Sequence, residues 1–177
     1  GVRFTRAYSQ PWCSPSRAAF MTGRWGHKTG IGSLCEGNDA PLLDNEVCLP
    51  AALKAVSEGG YACGAFGKWH NGSQWPYHPN ARGFDEYFGY TSGHWGDYFD
   101  APLEHNGVMV ETKGFIVDVC TDRAIDFIER NKSQPFFCYI PFTTPHTPWA
   151  VPPEYWDRFK AKPITQPAVT PAAEKPD

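Results

Sequence analysis

Apolar positions in this chain recur at two spacings. Leu49, Ala52, Leu53 and Val56 fall at helical spacing, with Pro50 in the first turn and Gly59-Gly60 as the stop, so a helix is predicted there. Val117, Cys120, Thr121, Ala124, Phe127 and Ile128 predict a second amphipathic helix, closed by Asn131-Lys132-Ser133-Gln134-Pro135. Strand patterns lie between. Val2 to Tyr8 alternates enough to be a strand, and Tyr61 to Phe66 reads as another after the glycine pair. Phe136 to Phe142 is a continuous apolar run, as expected of a strand buried on both faces. From Asn71 to Gly107 no period is visible and the chain reads as an aromatic loop. Alternating strands and helices predict an α/β fold. Residues 161–177 carry four prolines, few apolar residues and no period, so they read as a tail or linker behind a domain spanning 1–160.

One stretch fits neither spacing. Trp12 to Arg24 reads as a loop turning into a short helix. Ser14 suits the N-cap, Pro15 the first helical position, and Gly23 the stop. Cys13 would then sit just outside a helix N-terminus, where unpaired N–H groups and the macrodipole favour negative charge, and Arg17 adds a cation one turn in. That combination is a small anion site holding a reactive atom. The plain alternative is a buried helix-start cysteine with a surface arginine. A cysteine-phosphatase loop needs a longer Cys-to-Arg spacing than the three residues found here.

Further candidates lie where predicted strands end. Gly67-Lys68-Trp69-His70 follows the Tyr61–Phe66 strand. If strand geometry continues, Lys68 and His70 point to one side and put a cation and an imidazole in one pocket; the alternative is an exposed lysine with a structural histidine. Thr143-Thr144-Pro145-His146-Thr147-Pro148 follows the apolar run, and ligands in open α/β sheets bind beyond the carboxyl ends of strands. In Gly93-His94-Trp95-Gly96-Asp97-Tyr98, His94 is the candidate substrate contact, against the alternative of a loop packed on the core. Trp25 to Gly32 is a glycine-rich loop whose His27 and Lys28 read as surface.

Composition narrows the partners. Sixteen Lys and Arg against nineteen Asp and Glu give a net charge of −3, with no basic stripe for nucleic acid. No apolar run is long enough to span a membrane, and no signal peptide is visible. The chain opens on Gly1 without Met, so processing or truncation is expected to have removed the true start. None of the six cysteines forms a C-x-x-C pair, which argues against zinc, and Cys120 and Cys138 read as buried thiols.

Cys13-Ser14-Pro15-Ser16-Arg17 through Met21-Thr22-Gly23-Arg24 resembles the sulfatase signature Cys-x-Pro-Ser-Arg-x-x-x-(Leu/Met)-Thr-Gly-Arg at every fixed position. Gly60-Tyr61 with Gly67-Lys68-Trp69-His70 resembles the family's second signature, departing from it at Cys63, which replaces a hydroxyl residue, and at Phe66, which replaces a small or β-branched one. Arg82 to Tyr90 resembles the Gly-Phe-Asp…Phe-Gly segment that follows. The resemblance covers about residues 1–160, the front portion of a sulfatase. It implies an alkaline-phosphatase-like fold, a large mostly parallel sheet with helices on both faces, incomplete in this chain.

The resemblance also implies sulfate-ester hydrolysis. A maturation enzyme would oxidise Cys13 to formylglycine, whose hydrated aldehyde attacks sulfur with the aid of a divalent cation, usually calcium. Carried over, Arg17 would hold the hydrated aldehyde and Lys68 would bridge sulfate oxygens. His70 would act as acid and base, and His146 would bind sulfate or protonate the leaving oxygen. Cys13 is the one metal ligand carried over. The family's acidic pair near the first strand and its Asp-Asn pair on a later strand are not found, and Asp44-Asn45 lies in a loop between the signatures and is rejected. The substrate would be a small or glycan sulfate ester, met in the periplasm or outside the cell. The alternatives are a phosphonate or phosphate ester hydrolase of the same superfamily, a truncated sulfatase without catalysis and, resting only on aromatic loops, a carbohydrate-binding module. With the metal carboxylates missing, this chain alone is expected to have little or no sulfatase activity.

Overall fold

The structure, a computed structural model, describes residues 3–33, 41–58, 60–163 and 165. In chain order its elements are α1 (Cys13–Thr22), α2 (Gly26–Thr29), α3 (Leu49–Val56), β1 (Ala62–Lys68), a 3-10 turn (Pro79–Arg82), β2 (Glu86–Tyr90), β3 (Leu103–His105), β4 (Val108–Val110), α4 (Ile116–Asn131), β5 (Phe136–Tyr139) and α5 (Pro153–Lys160). The strands form one sheet in the order β4-β3-β2-β1-β5. β1 runs parallel to both neighbours, with Phe66 opposite Phe88 and Gly64 opposite Cys138. The β3–β4 hairpin continues the sheet antiparallel from β2. The expected mostly parallel sheet is therefore a mixed one with a parallel centre.

Side-chain alternation sorts this sheet into two cores. Cys63 and Ala65 of β1, Tyr87 of β2, and Phe137 and Tyr139 of β5 pack with Ala18 and Met21 of α1. Phe66, Phe88 and Tyr90, with Phe136 and Cys138, pack instead with Cys120, Ala124 and Phe127 of α4. Each large apolar side chain so buried contributes about 1.5–3 kcal/mol. Helix α4 buries Cys120, Ala124 and Phe127 as its sequence predicts, with Ile116 opening the buried stripe and Val117, Thr121 and Ile128 half-buried at its margin. Gly67 holds β1 close to the chain after β5. Its φ is 133°, and a Cβ there would lie 2.3 Å from the carbonyl oxygen of Pro141.

Several expectations are corrected. The described part of Val2–Tyr8 forms no strand and is exposed, since alternation makes a strand only where a partner supplies hydrogen bonds, and no described strand lies alongside it. The glycine-rich stretch after Arg24 closes into the short helix α2, although His27 and Lys28 are exposed as expected. The Asn71–Gly107 region, expected to be loop, holds β2 and β3, whose apolar runs are short enough to hide among turn residues. Strand β5 stops at Tyr139 and is only half-buried, because it is the sheet's edge and has β1 on one side alone. Cys138 is accordingly half-buried, while Cys120 is buried and its thiol is pushed up to about 12 by desolvation. Gly59 and most of the expected tail, residues 164 and 166–177, lie outside the described residues. Among the described residues no helix is long and apolar enough to cross a membrane.

Candidate active site

Because β1, β2 and β5 run parallel, their carboxyl ends lie at one edge of the sheet. Lys68 ends β1, residues 91–98 follow β2, and His146 follows β5. Helix α1 delivers Cys13 to the same edge. It begins two residues earlier than its sequence suggests, so Cys13 is its first residue, Trp12 is the N-cap, and no side chain caps it. Ser14, expected as the cap, is buried inside the first turn, and its hydroxyl lies 3.1 Å from Nε2 of His70. The C-terminal stop at Gly23, in left-handed conformation, is as expected.

His70 is the hub. Its Nδ1 lies 3.2 Å from Cys13 Sγ, so the ring bridges the first two residues of α1. Its φ is 59°, a left-handed conformation that costs an L-residue about 1–2 kcal/mol and persists because the surroundings hold it. Strand geometry ends at Lys68, so the alternation argument for Lys68 and His70 does not apply; a backbone reversal orients the imidazole instead.

Lys68 and His70 still meet the same loop. Lys68 Nζ donates to the carbonyl of Gly93 at 2.5 Å, and a Cβ on Gly93 would lie 2.3 Å from His70 Nε2. Gly93 is there because nothing larger fits between the two. Lys68 is buried, and burial lowers its pKa, countered by Cys13 and reinforced by Arg17. Arg17 NH1 donates to the Lys68 carbonyl at 2.7 Å, which ties α1 to the end of β1. Its Nε–H is buried with no acceptor among the described residues. A cavity of about 300 Å³ opens beside Cys13 and Arg17, walled by Phe20, Tyr139 and Pro141.

Cys13, Arg17, Lys68 and His70 thus form one connected cluster. His146 joins it only indirectly: it is exposed, and its ring stands edge-on to that of His94, centroids 4.9 Å apart, one residue beyond Gly93. Sequence reasoning missed three contributors, Ser14, Gly93 and Tyr98, whose phenol donates to the His146 carbonyl at 2.6 Å. A glycine pressed on an imidazole leaves no spacing signal, and a tyrosine in an aromatic loop looks like packing. Arg24, the last residue of the first signature, is structural: it makes a two-pronged ion pair with Glu46, at 2.9 and 3.0 Å.

The cluster does not make a calcium site. That ion takes several oxygen ligands. Among the described residues no three His, Cys, Asp or Glu side chains gather where they could hold a metal, and the charged groups acting on Lys68 are Cys13 and Arg17. Asp44 is exposed, and its backbone carbonyl accepts from Arg82.

Comparison with known proteins addresses the family of the chain. The sulfatase family model matches residues 1–169. The N-acetylglucosamine-6-O-sulfatase of Bacteroides thetaiotaomicron is 30% identical, over 95% of this chain and 28% of its own length. The human N-acetylgalactosamine-6-sulfatase is 31% identical, over 84% and 33%. Among solved structures, Ps i-CgsB in complex with k-i-k-neocarrahexaose superposes with a TM-score of 0.76 at 34% identity, over 86% of this chain and 39% of that one. BT4656 in complex with its substrate D-glucosamine-2-N,6-O-disulfate gives 0.74 at 31% identity, over 95% and 32%. The chain spans about a third of the length of the curated relatives it matches. With both signatures gathered at one sheet edge and a family model matched across nearly its whole length, the chain belongs to the sulfatase family.

Proposed function

We propose that this chain carries the nucleophile and anion-holding part of a hydrolase acting on sulfate esters of carbohydrates, with Cys13 as the precursor of formylglycine. The observation that carries this reading is the contact of Cys13, at a helix start, with His70, beside a buried lysine and an arginine with an unpaired buried N–H. Sulfated sugars are favoured as substrates because relatives are named for sulfated hexosamines and a similar structure holds a disulfated glucosamine.

Formylglycine, when formed, would supply a hydrated aldehyde as the oxygen nucleophile in place of the thiol. The chain's own groups then divide the work. Lys68 offers a desolvated cation to sulfate oxygens, at a helix start that already favours an anion. Arg17 offers the N–H that lacks an acceptor. His70 would exchange a proton with residue 13 through Nδ1, the nitrogen facing it, and the contact of Nε2 with Ser14 keeps the ring in place. His146 stands on an exposed loop, where it would protonate a leaving sugar oxygen. Among the described residues no three ligand side chains gather for the cation that the family resemblance implies, so turnover by these 177 residues alone is expected to be low.

The test is mass spectrometry of the peptide containing Cys13 after co-expression with a formylglycine-generating enzyme. Sulfur replaced by a carbonyl oxygen is the expected result. A fully unmodified thiol alongside a control substrate that is converted would overturn the proposal.

A further inference from the structure

Two loops leave the carboxyl edge of the sheet, 91–98 after β2 and 143–149 after β5, and they are fastened to each other at matched points. At their bases, Tyr90 of the first and Thr143 of the second are both buried. In the middle, the rings of His94 and His146 stand 4.9 Å apart at 64°. At the far end, Tyr98 donates its hydroxyl to the His146 carbonyl at 2.6 Å.

Tyr98 differs from its partners in being anchored from behind. Only 2% of it is exposed, its ring packs against Phe115, and its carbonyl accepts from the backbone of Ile116 at the start of α4. It therefore reaches from the rigid α4 core to the backbone of an exposed histidine. A buried hydroxyl must find a partner, and this one finds the peptide that carries the candidate acid. The His146 ring is further fixed through Nδ1, which lies 3.1 Å from the Thr147 carbonyl. The Thr147 hydroxyl lies 3.3 Å from the same nitrogen, so Thr147 engages Nδ1 from both its groups, and Nε2 is the ring nitrogen left for substrate.

We propose that Tyr98 is a positioning residue for His146, setting where the leaving-group imidazole stands without itself meeting the substrate. This rests on the function proposed above. Removing the hydroxyl frees the His146 peptide while the ring of residue 98 keeps its packing, so His146 loses its fixed distance to the leaving oxygen. A poor leaving group depends on that proton and an activated one does not.

The experiment compares Tyr98→Phe with the wild-type protein, both matured with a formylglycine-generating enzyme. The expected result is a fall in kcat of about tenfold on a sugar 6-sulfate, a change under about twofold on nitrophenyl sulfate, and KM within about twofold on both. Equal falls on the two substrates would overturn the proposal, since a general structural defect does that. A second readout needs no catalysis. The Cε1–H resonance of His146, identified by its loss in His146→Gln, should move in Tyr98→Phe while those of His78 and His105 stay in place. An unmoved His146 resonance would also overturn it. Where these 177 residues alone turn over too little to give a kcat, the resonance decides Tyr98, and the state of residue 13 by mass spectrometry decides the proposed function.

Discussion

Gly93 and His94 are neighbours in sequence and opposites in physical situation. Gly93 is wedged against the His70 ring and accepts from Lys68, in a cluster where Lys68 is 2% and His70 5% exposed. His94 is exposed; its ring stands against that of His146, and its carbonyl accepts from the Ser92 hydroxyl of its own loop. One side of the site is thus part of the folded core and will resist change as cores do. The other is a pair of loops whose geometry is set by a few hydrogen bonds, and such loops tolerate substitution structurally while function depends on them. The site divides between a rigid anion-holding half and an adjustable substrate-facing half.

Gly93→Ala should break the rigid half most severely. With an added Cβ 2.3 Å from Nε2, the imidazole must leave Cys13 and Ser14. We expect about 1–3 kcal/mol loss in urea denaturation, the usual cost of overpacking, and roughly a hundredfold loss of sulfate-ester hydrolysis. Unchanged stability would show that loop 91–94 does not rest on the ring.

The join between the halves is testable by pH. Burial raises Tyr90 from 10.0 to about 12, with Thr143 opposing the shift. A folded pKa above the unfolded one gives stability that is whole below pH 10 and lost as pH rises toward 12, at about 1.4 kcal/mol per pH unit. Tyr90→Phe should remove that slope, so wild type and variant, compared by chemical denaturation, converge above pH 10. Parallel curves would show that Tyr90 is already ionised or solvated when folded.

Lys68→Met should separate affinity from stability. The desolvated amine costs about what its bond to Gly93 returns, so unfolding free energy should stay within about 1 kcal/mol. Inorganic sulfate should bind roughly tenfold more weakly by calorimetry, the worth of one charge-assisted hydrogen bond. Undiminished sulfate binding would remove Lys68 from the site.

The smallest effect is expected at His94→Ala, within about 0.5 kcal/mol in stability because the ring is exposed and lies outside the core. The His146 ring resonance should nonetheless shift. A loss above 1 kcal/mol would place His94 in the rigid half and erase the contrast with Gly93.

What the sequence by itself determined is local and chemical. The stop of α1 at Gly23, the existence of α3, the buried stripe of α4, and the delivery of Lys68 and His70 from the end of one strand follow from spacing and turn residues, each a matter of a few neighbouring positions. The tertiary structure alone decided what depends on partners distant in the chain. Residues 3–8 alternate like a strand but pair with none described, and β5 reads as fully buried but stands at an edge; a strand is made by its neighbour's hydrogen bonds. Ser14 turns from capping its helix to meeting a ring 56 residues away. His146 takes its place from Tyr98, 48 residues earlier, because a buried hydroxyl bonds whatever carbonyl the fold brings to it, and sequence spacing carries no trace of that meeting.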